Sequence, residues 1–209
     1  AFPIDDFEVH RLPFPEIEEL SGTFDAVTAW AVLEHVHDPM AYFRKAAQVL
    51  APGGLFVFLV TNFASVSSRH LFREDVPRHL YFFTRSTVER YLETANMRLV
   101  VSRSDDSIFE MRPLGWLRYF VRRAFGRPPM RFEDTAETRI EYFRRKSLRG
   151  GVKDSLRFAI ANPITSLDRL LLPVYERWQI WRQTYGIVTF VARKLPVDGG
   201  SPFNAALAK

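Results

Sequence analysis

Glu34 and His35 stand side by side four residues after a short apolar run, Phe24 to Trp30, and a second histidine, His79, lies in the segment Arg78-His79-Leu80-Tyr81-Phe82-Phe83-Thr84. Histidine is the residue type whose proton exchange falls nearest neutral pH, so His35 and His79 are the two candidates for a general base. Each has a plainer alternative: His35 as a structural cap of its turn, His79 as an ordinary loop histidine. His37 is expected to face solvent. Trp30 either packs in the core or offers an aromatic face to a cationic ligand. The sequence has no cysteine, which excludes a disulfide scaffold and a thiolate metal site, and no metal-ligand set is read from it.

These residues need a frame. Phe24 to Trp30 and Leu55 to Val60 are both apolar with little polar alternation, as in strands of a parallel sheet covered on both faces. Between them Asp38 stands at an N-cap position and Pro39 at the first helical position. Phe43, Ala46, Ala47 and Leu50 then form one apolar stripe, with Arg44, Lys45 and Gln48 expected to face water. Gly53 and Gly54 are expected to end the helix. In an open sheet of this kind ligands bind beyond the carboxyl ends of the strands, where Ala29 to Val36 and Thr61-Asn62 fall.

The phrase FDAVTAWAVLEHVHDP, then a helix, then LAPGG, a strand and TN resembles the second half of class I S-adenosylmethionine-dependent methyltransferases of the quinone-biosynthesis type. RHLYFFT followed by STVERYLETANMRLV is similar to that family's fifth helix and sixth strand, and Ile187 to Lys194 to its seventh strand. The resemblance implies a Rossmann-like α/β fold with a mostly parallel sheet, S-adenosyl-L-methionine as cofactor, and a small-molecule or lipid-like acceptor. It places Ala29, Trp30, Ala31 and His35 beside the cofactor and His35 or His79 as base toward the acceptor. The family's glycine-rich cofactor turn and second-strand acid have no counterpart in this sequence, whose ten glycines begin at Gly22 and form no G-x-G. The strand Phe24 to Trp30 is therefore expected to have an open edge, in the C-terminal portion of a longer methyltransferase or in a half-domain completed by a partner chain.

The length suits one domain, 47% hydrophobic residues suffice for a core, and the longest apolar run is far short of a membrane span. Four stretches are expected: a partial core over residues 1–101, a helical insertion or lid over 102–185, the returning last strand over 186–195, and a flexible tail over 196–209. A short strand is expected at Phe7 to His10. Residues 112–149 hold ten arginines and one lysine against four acids, a net charge of +7. Within them Leu117, Phe120, Val121 and Ala124 form an apolar stripe with Trp116 at its edge. Further helices are expected at about Glu133 to Ser147, from Asp154 to Asn162, and from Leu167, where Pro173 should kink or divide the last.

Basic helices with aromatics suit a solvated lid, a phosphate-bearing or lipid-like acceptor, or a peripheral contact with an anionic membrane. No nucleic-acid motif accompanies the arginines. The reading is a cytoplasmic methyltransferase, with peripheral membrane contact and oligomerisation left open. The alternative is a non-catalytic, degenerate methyltransferase fold that binds an anionic surface or a partner.

Overall fold

Asp38 caps the first helix as its place ahead of Pro39 predicts. In the computed structural model its Oδ1 accepts from the Ala41 N–H at 3.1 Å, and α1 runs Pro39–Val49. The structure describes residues 10–18, 20, 24–65, 68, 78–105, 107–108, 116–127 and 160–196. Flanking α1 are β1, Phe24–Trp30, and β2, Leu50–Thr61, paired in parallel with Ala26 opposite Leu55 and Trp30 opposite Leu59.

Three details of this unit depart from the sequence reading. The helix stops at Val49, before the diglycine: Leu50 is already extended (φ −71°, ψ 140°), and Ala51 to Gly54 belong to the start of β2. Gly53 takes φ +82°, which favours glycine, whereas Gly54 is needed for space. A Cβ there would lie 2.9 Å from Ala51 O and 3.1 Å from Asp25 O. Lys45, expected in water, is buried, and its Nζ donates to Ile17 O. A 3₁₀ turn at Phe14–Glu16 leads into that residue, so the segment before β1 covers a flank of α1 that the helix's own pattern leaves polar.

Thr84 caps α2, Arg85–Thr94, through a bond from Thr87 N–H to its Oγ1 at 3.3 Å. β3 follows at Met97–Arg103 and β4 closes the set at Ile187–Lys194. The sheet order is β1-β2-β4-β3, with β4 antiparallel to both neighbours. β1, β2 and β3 therefore run the same way and end on one edge, the mostly parallel Rossmann-like arrangement with a reversed last strand. Among the described residues β1 pairs only with β2. Phe43 of α1 is fully buried, 5.6 Å from Phe56, 5.3 Å from Phe58 and 5.1 Å from Tyr91 by ring centroids. Burial of one such ring contributes about 1.5–3 kcal/mol, and this aromatic cluster locks both helices to one face of the sheet.

Between β3 and β4 the described residues form α3, Trp116–Ala124, and α4, Pro163–Arg182. Trp116, expected at the edge of a stripe, is the buried anchor: it stacks on Tyr175 at 5.3 Å and meets Trp178 edge-on at 6.3 Å. Asp168 Oδ1 accepts from Leu117 N–H at 3.1 Å, a cap for α3 supplied by α4. Phe120 stays half exposed because α4 covers only one flank of α3. α4 runs through Pro173 undivided. The expected helices at 133–147 and 154–162, the strand at 7–10 and the tail from 196 lie wholly or largely outside the described residues.

Candidate active site

The chain leaves β1 through Ala31, which takes the left-handed conformation (φ 53°) and donates its N–H to Leu59 O at 3.0 Å. That reversal starts a tight turn, closed by His35 N–H to Val32 O at 3.0 Å and pinned by the fully buried Leu33. Glu34, also buried, uses its carbonyl to accept from Leu80 N–H at 2.8 Å and Tyr81 N–H at 3.3 Å. These bonds stitch the loop ahead of α2 to the turn after β1. Tyr81 adds its hydroxyl, donated to His37 O at 2.8 Å.

The stitching brings the two candidate bases together. The rings of His35 and His79 meet edge to face with centroids 4.6 Å apart, at the carboxyl ends of β1 and β2. His35 Nδ1 lies 3.1 Å from Arg78 O. A carbonyl oxygen only accepts, so Nδ1 carries the proton of that bond and Nε2 holds the lone pair. His79 is buried, its Nδ1 3.5 Å from Thr61 Oγ1 at the end of β2. His35 is exposed, so of the two rings it is the one a ligand can reach. A carboxylate oxygen of Glu34 and a ring nitrogen of each histidine lie within 4.8 Å of one another, close enough to share a single cation. No metal set was legible in the sequence, because its third member is 44 positions from His35.

Of the remaining expected site residues, Ala29 is half-buried under the sheet face, while Trp30 and Ala31 stand exposed at the strand end. His37 is exposed, as expected.

Asn62, one residue past β2, is a position whose role the sequence reading missed. Its Nδ2 lies 3.0 Å from Tyr185 O, 3.1 Å from Ser104 Oγ and 3.2 Å from Gln183 O, and its Oδ1 accepts from Ala64 N–H at 3.0 Å. Ser104 donates its hydroxyl toward Ile187 O at 3.0 Å and its N–H to Gln183 Oε1 at 3.0 Å. Ser104 begins the excursion between β3 and β4, and Gln183 to Tyr185 end it. Asn62 therefore closes that excursion on the same sheet edge that carries the histidine pair. The only local signal was a polar residue directly after an apolar strand.

Residues 4–102 match the family model described as "Methyltransferase domain". The ubiquinone biosynthesis O-methyltransferase of Xanthomonas campestris is 36% identical over 91 residues, covering 39% of this chain and 38% of that protein. The enzyme of the same name from Vibrio parahaemolyticus is 31% identical over 94 residues, covering 42% and 37%. The chain thus spans less than two fifths of the length of these curated relatives. Among solved structures, a chain of the complex between the Haloferax volcanii Trm112 methyltransferase activator and its methyltransferase superposes with a TM-score of 0.48 at 14% identity, covering 88% of this chain and 59% of that one. Residues 4–102, the segment that holds β1, α1, β2, α2 and the strand-end turn and ends in β3, are therefore similar to a methyltransferase domain.

Proposed function

We propose that the protein transfers a methyl group from S-adenosyl-L-methionine to a hydroxyl of a small, apolar or lipid-like acceptor, with His35 as the general base. The observation that carries this reading is the tether from His35 Nδ1 to Arg78 O, which leaves Nε2 with its lone pair at the ligand-facing edge of the sheet. The relatives' name, an O-methyltransferase of ubiquinone biosynthesis, supports an oxygen acceptor. The residues present fit one side of the cofactor: Trp30 offers an exposed aromatic face suited to a sulfonium, and Ala31 adds little bulk beside it. When bound, the cofactor supplies a methyl group already activated on a positively charged sulfur.

The protein's part is therefore alignment, exclusion of water and removal of one proton. His35 Nε2 is placed to take the proton of the acceptor hydroxyl, whose oxygen would receive the methyl that the bound cofactor supplies. His79, packed edge-on against His35, holds that ring in place. Replacing His35 by Ala in the full-length protein should lower turnover about 10²–10⁴-fold with cofactor affinity little changed. His79→Ala should lower turnover less, by disordering its neighbour. A full-length protein that binds no S-adenosylmethionine would leave the non-catalytic fold instead.

The grouping of Glu34, His35 and His79 favours one second reading, in which a divalent cation bound by the three activates the acceptor hydroxyl in place of a base. Chelation separates the two. Activity unchanged after exhaustive EDTA treatment supports the base; loss restored by one added metal supports the cation.

A further inference from the structure

α4 is turned the opposite way from an ordinary surface helix. Its buried positions include Asp168 and Gln179, held under α3 by the cap to Leu117 and the stack of Trp116 on Tyr175. Its outward face carries Leu167, Leu170, Val174, Trp178 and Trp181, with Leu170, Val174 and Trp181 each more than 60% exposed. At the α-helical turn of about 100° per residue these five fall within an arc of about 80°, a continuous apolar stripe along four turns. Such a stripe in water costs free energy unless something covers it.

The charges around it say what kind of cover. By the same helical geometry Arg177 and Arg182 border the stripe on its two sides, and the Arg182 guanidinium sits 5.7 Å over the Trp181 ring. Arg123 and Arg127 on and after α3 are exposed as well. Neither helix exposes an acid: Asp168 is buried and Glu176 half-buried. Beside the stripe, Val121, Arg122, Phe125, Arg127 and Ile164 line an open cavity of about 290 Å³ that pairs two cations with three apolar side chains. A second copy of the chain docking face to face would bring the bordering Arg177 and Arg182 against arginines of the same border. No helix among the described residues is long and apolar enough to cross a membrane. An apolar stripe with tryptophans at one end and arginines on both borders matches a bilayer surface with anionic headgroups.

We infer that α4 lies in the plane of an anionic lipid bilayer, its leucine and tryptophan stripe among the acyl chains and the arginines of α3 and α4 on the headgroup phosphates. Docking does not depend on methyl transfer and is read without cofactor or acceptor. The full-length protein is sedimented with vesicles of phosphatidylcholine alone or mixed with phosphatidylglycerol, and its tryptophan emission is recorded. The bound fraction should rise with phosphatidylglycerol and fall with salt, with a blue shift of the emission.

Leu170→Glu with Trp181→Ser should weaken binding at least about tenfold, since each large side chain contributes more than about 1.4 kcal/mol on burial. Arg177→Ala with Arg182→Ala should remove much of the salt dependence while leaving the circular dichroism melt in place. Equal sedimentation with both vesicle types, or binding untouched by the stripe variant, would overturn the inference. So would a solution dimer that the stripe variant converts to monomer without altering vesicle binding, because the cover would then be a second copy.

Discussion

Replacing Asn62 by Ala should destabilise the protein by about 2–4 kcal/mol, and the structure shows where the loss arises. Asn62 is 4% exposed; its two amide protons are shared among three acceptors, and its Oδ1 accepts from Ala64 N–H. After truncation Tyr185 O can share the Ser104 hydroxyl, 3.2 Å away, with Ile187 O. Gln183 O and Ala64 N–H lose their bonds to the amide, and each buried polar group left in that state costs about 1–3 kcal/mol. Partial access to water at both places puts the sum in the lower half of the range. Urea unfolding of the full-length protein, followed by circular dichroism, reads this as a lower midpoint at unchanged slope. Ser104→Ala tests the mechanism, because it removes a second member of the same clamp. The double variant should then lose less than the sum of the single losses, by about 0.5–2 kcal/mol. A single-variant loss below about 0.5 kcal/mol, or strict additivity, would show that the clamp does not hold the excursion to the sheet.

Gly54→Ala should cost about 1–3 kcal/mol, because the new methyl would press on two backbone oxygens, while Gly53→Ala should cost about 1–2 kcal/mol from its positive φ alone. Thermal unfolding of a Gly53→Asn variant separates the causes: Asn should recover part of the loss at position 53, whereas Gly54→Asn should be worse than Gly54→Ala. Lys45→Met keeps the length of the side chain but removes the donor to Ile17 O, so a loss of about 1–3 kcal/mol is expected, with earlier proteolytic cleavage ahead of β1. Unchanged stability of Lys45→Met would mean that the burial of that lysine is incidental.

The local grammar of the chain was legible in its residues. Asp38 before Pro39, the apolar run Phe24 to Trp30 and the run before Asn96 each act through neighbours within a few positions, so β1, α1, α2 and β3 follow from sequence spacing. Boundaries set by distant contacts were not. α1 stops before its glycines because Leu50 is drawn into pairing opposite Phe24 of β1, and Lys45 is buried by the segment carrying Ile17. The types of the site residues could also be read, but not their assembly. His35 and His79 become one site only because Glu34 O receives the amides of Leu80 and Tyr81. Asn62 becomes a clamp only when Gln183 and Tyr185, more than 120 positions away, return just ahead of β4. A helix from Leu167 was expected from the sequence, but spacing alone does not say which of its flanks is covered. Only the packing of Trp116 and Asp168 on the other flank of α4 turns its apolar stripe outward.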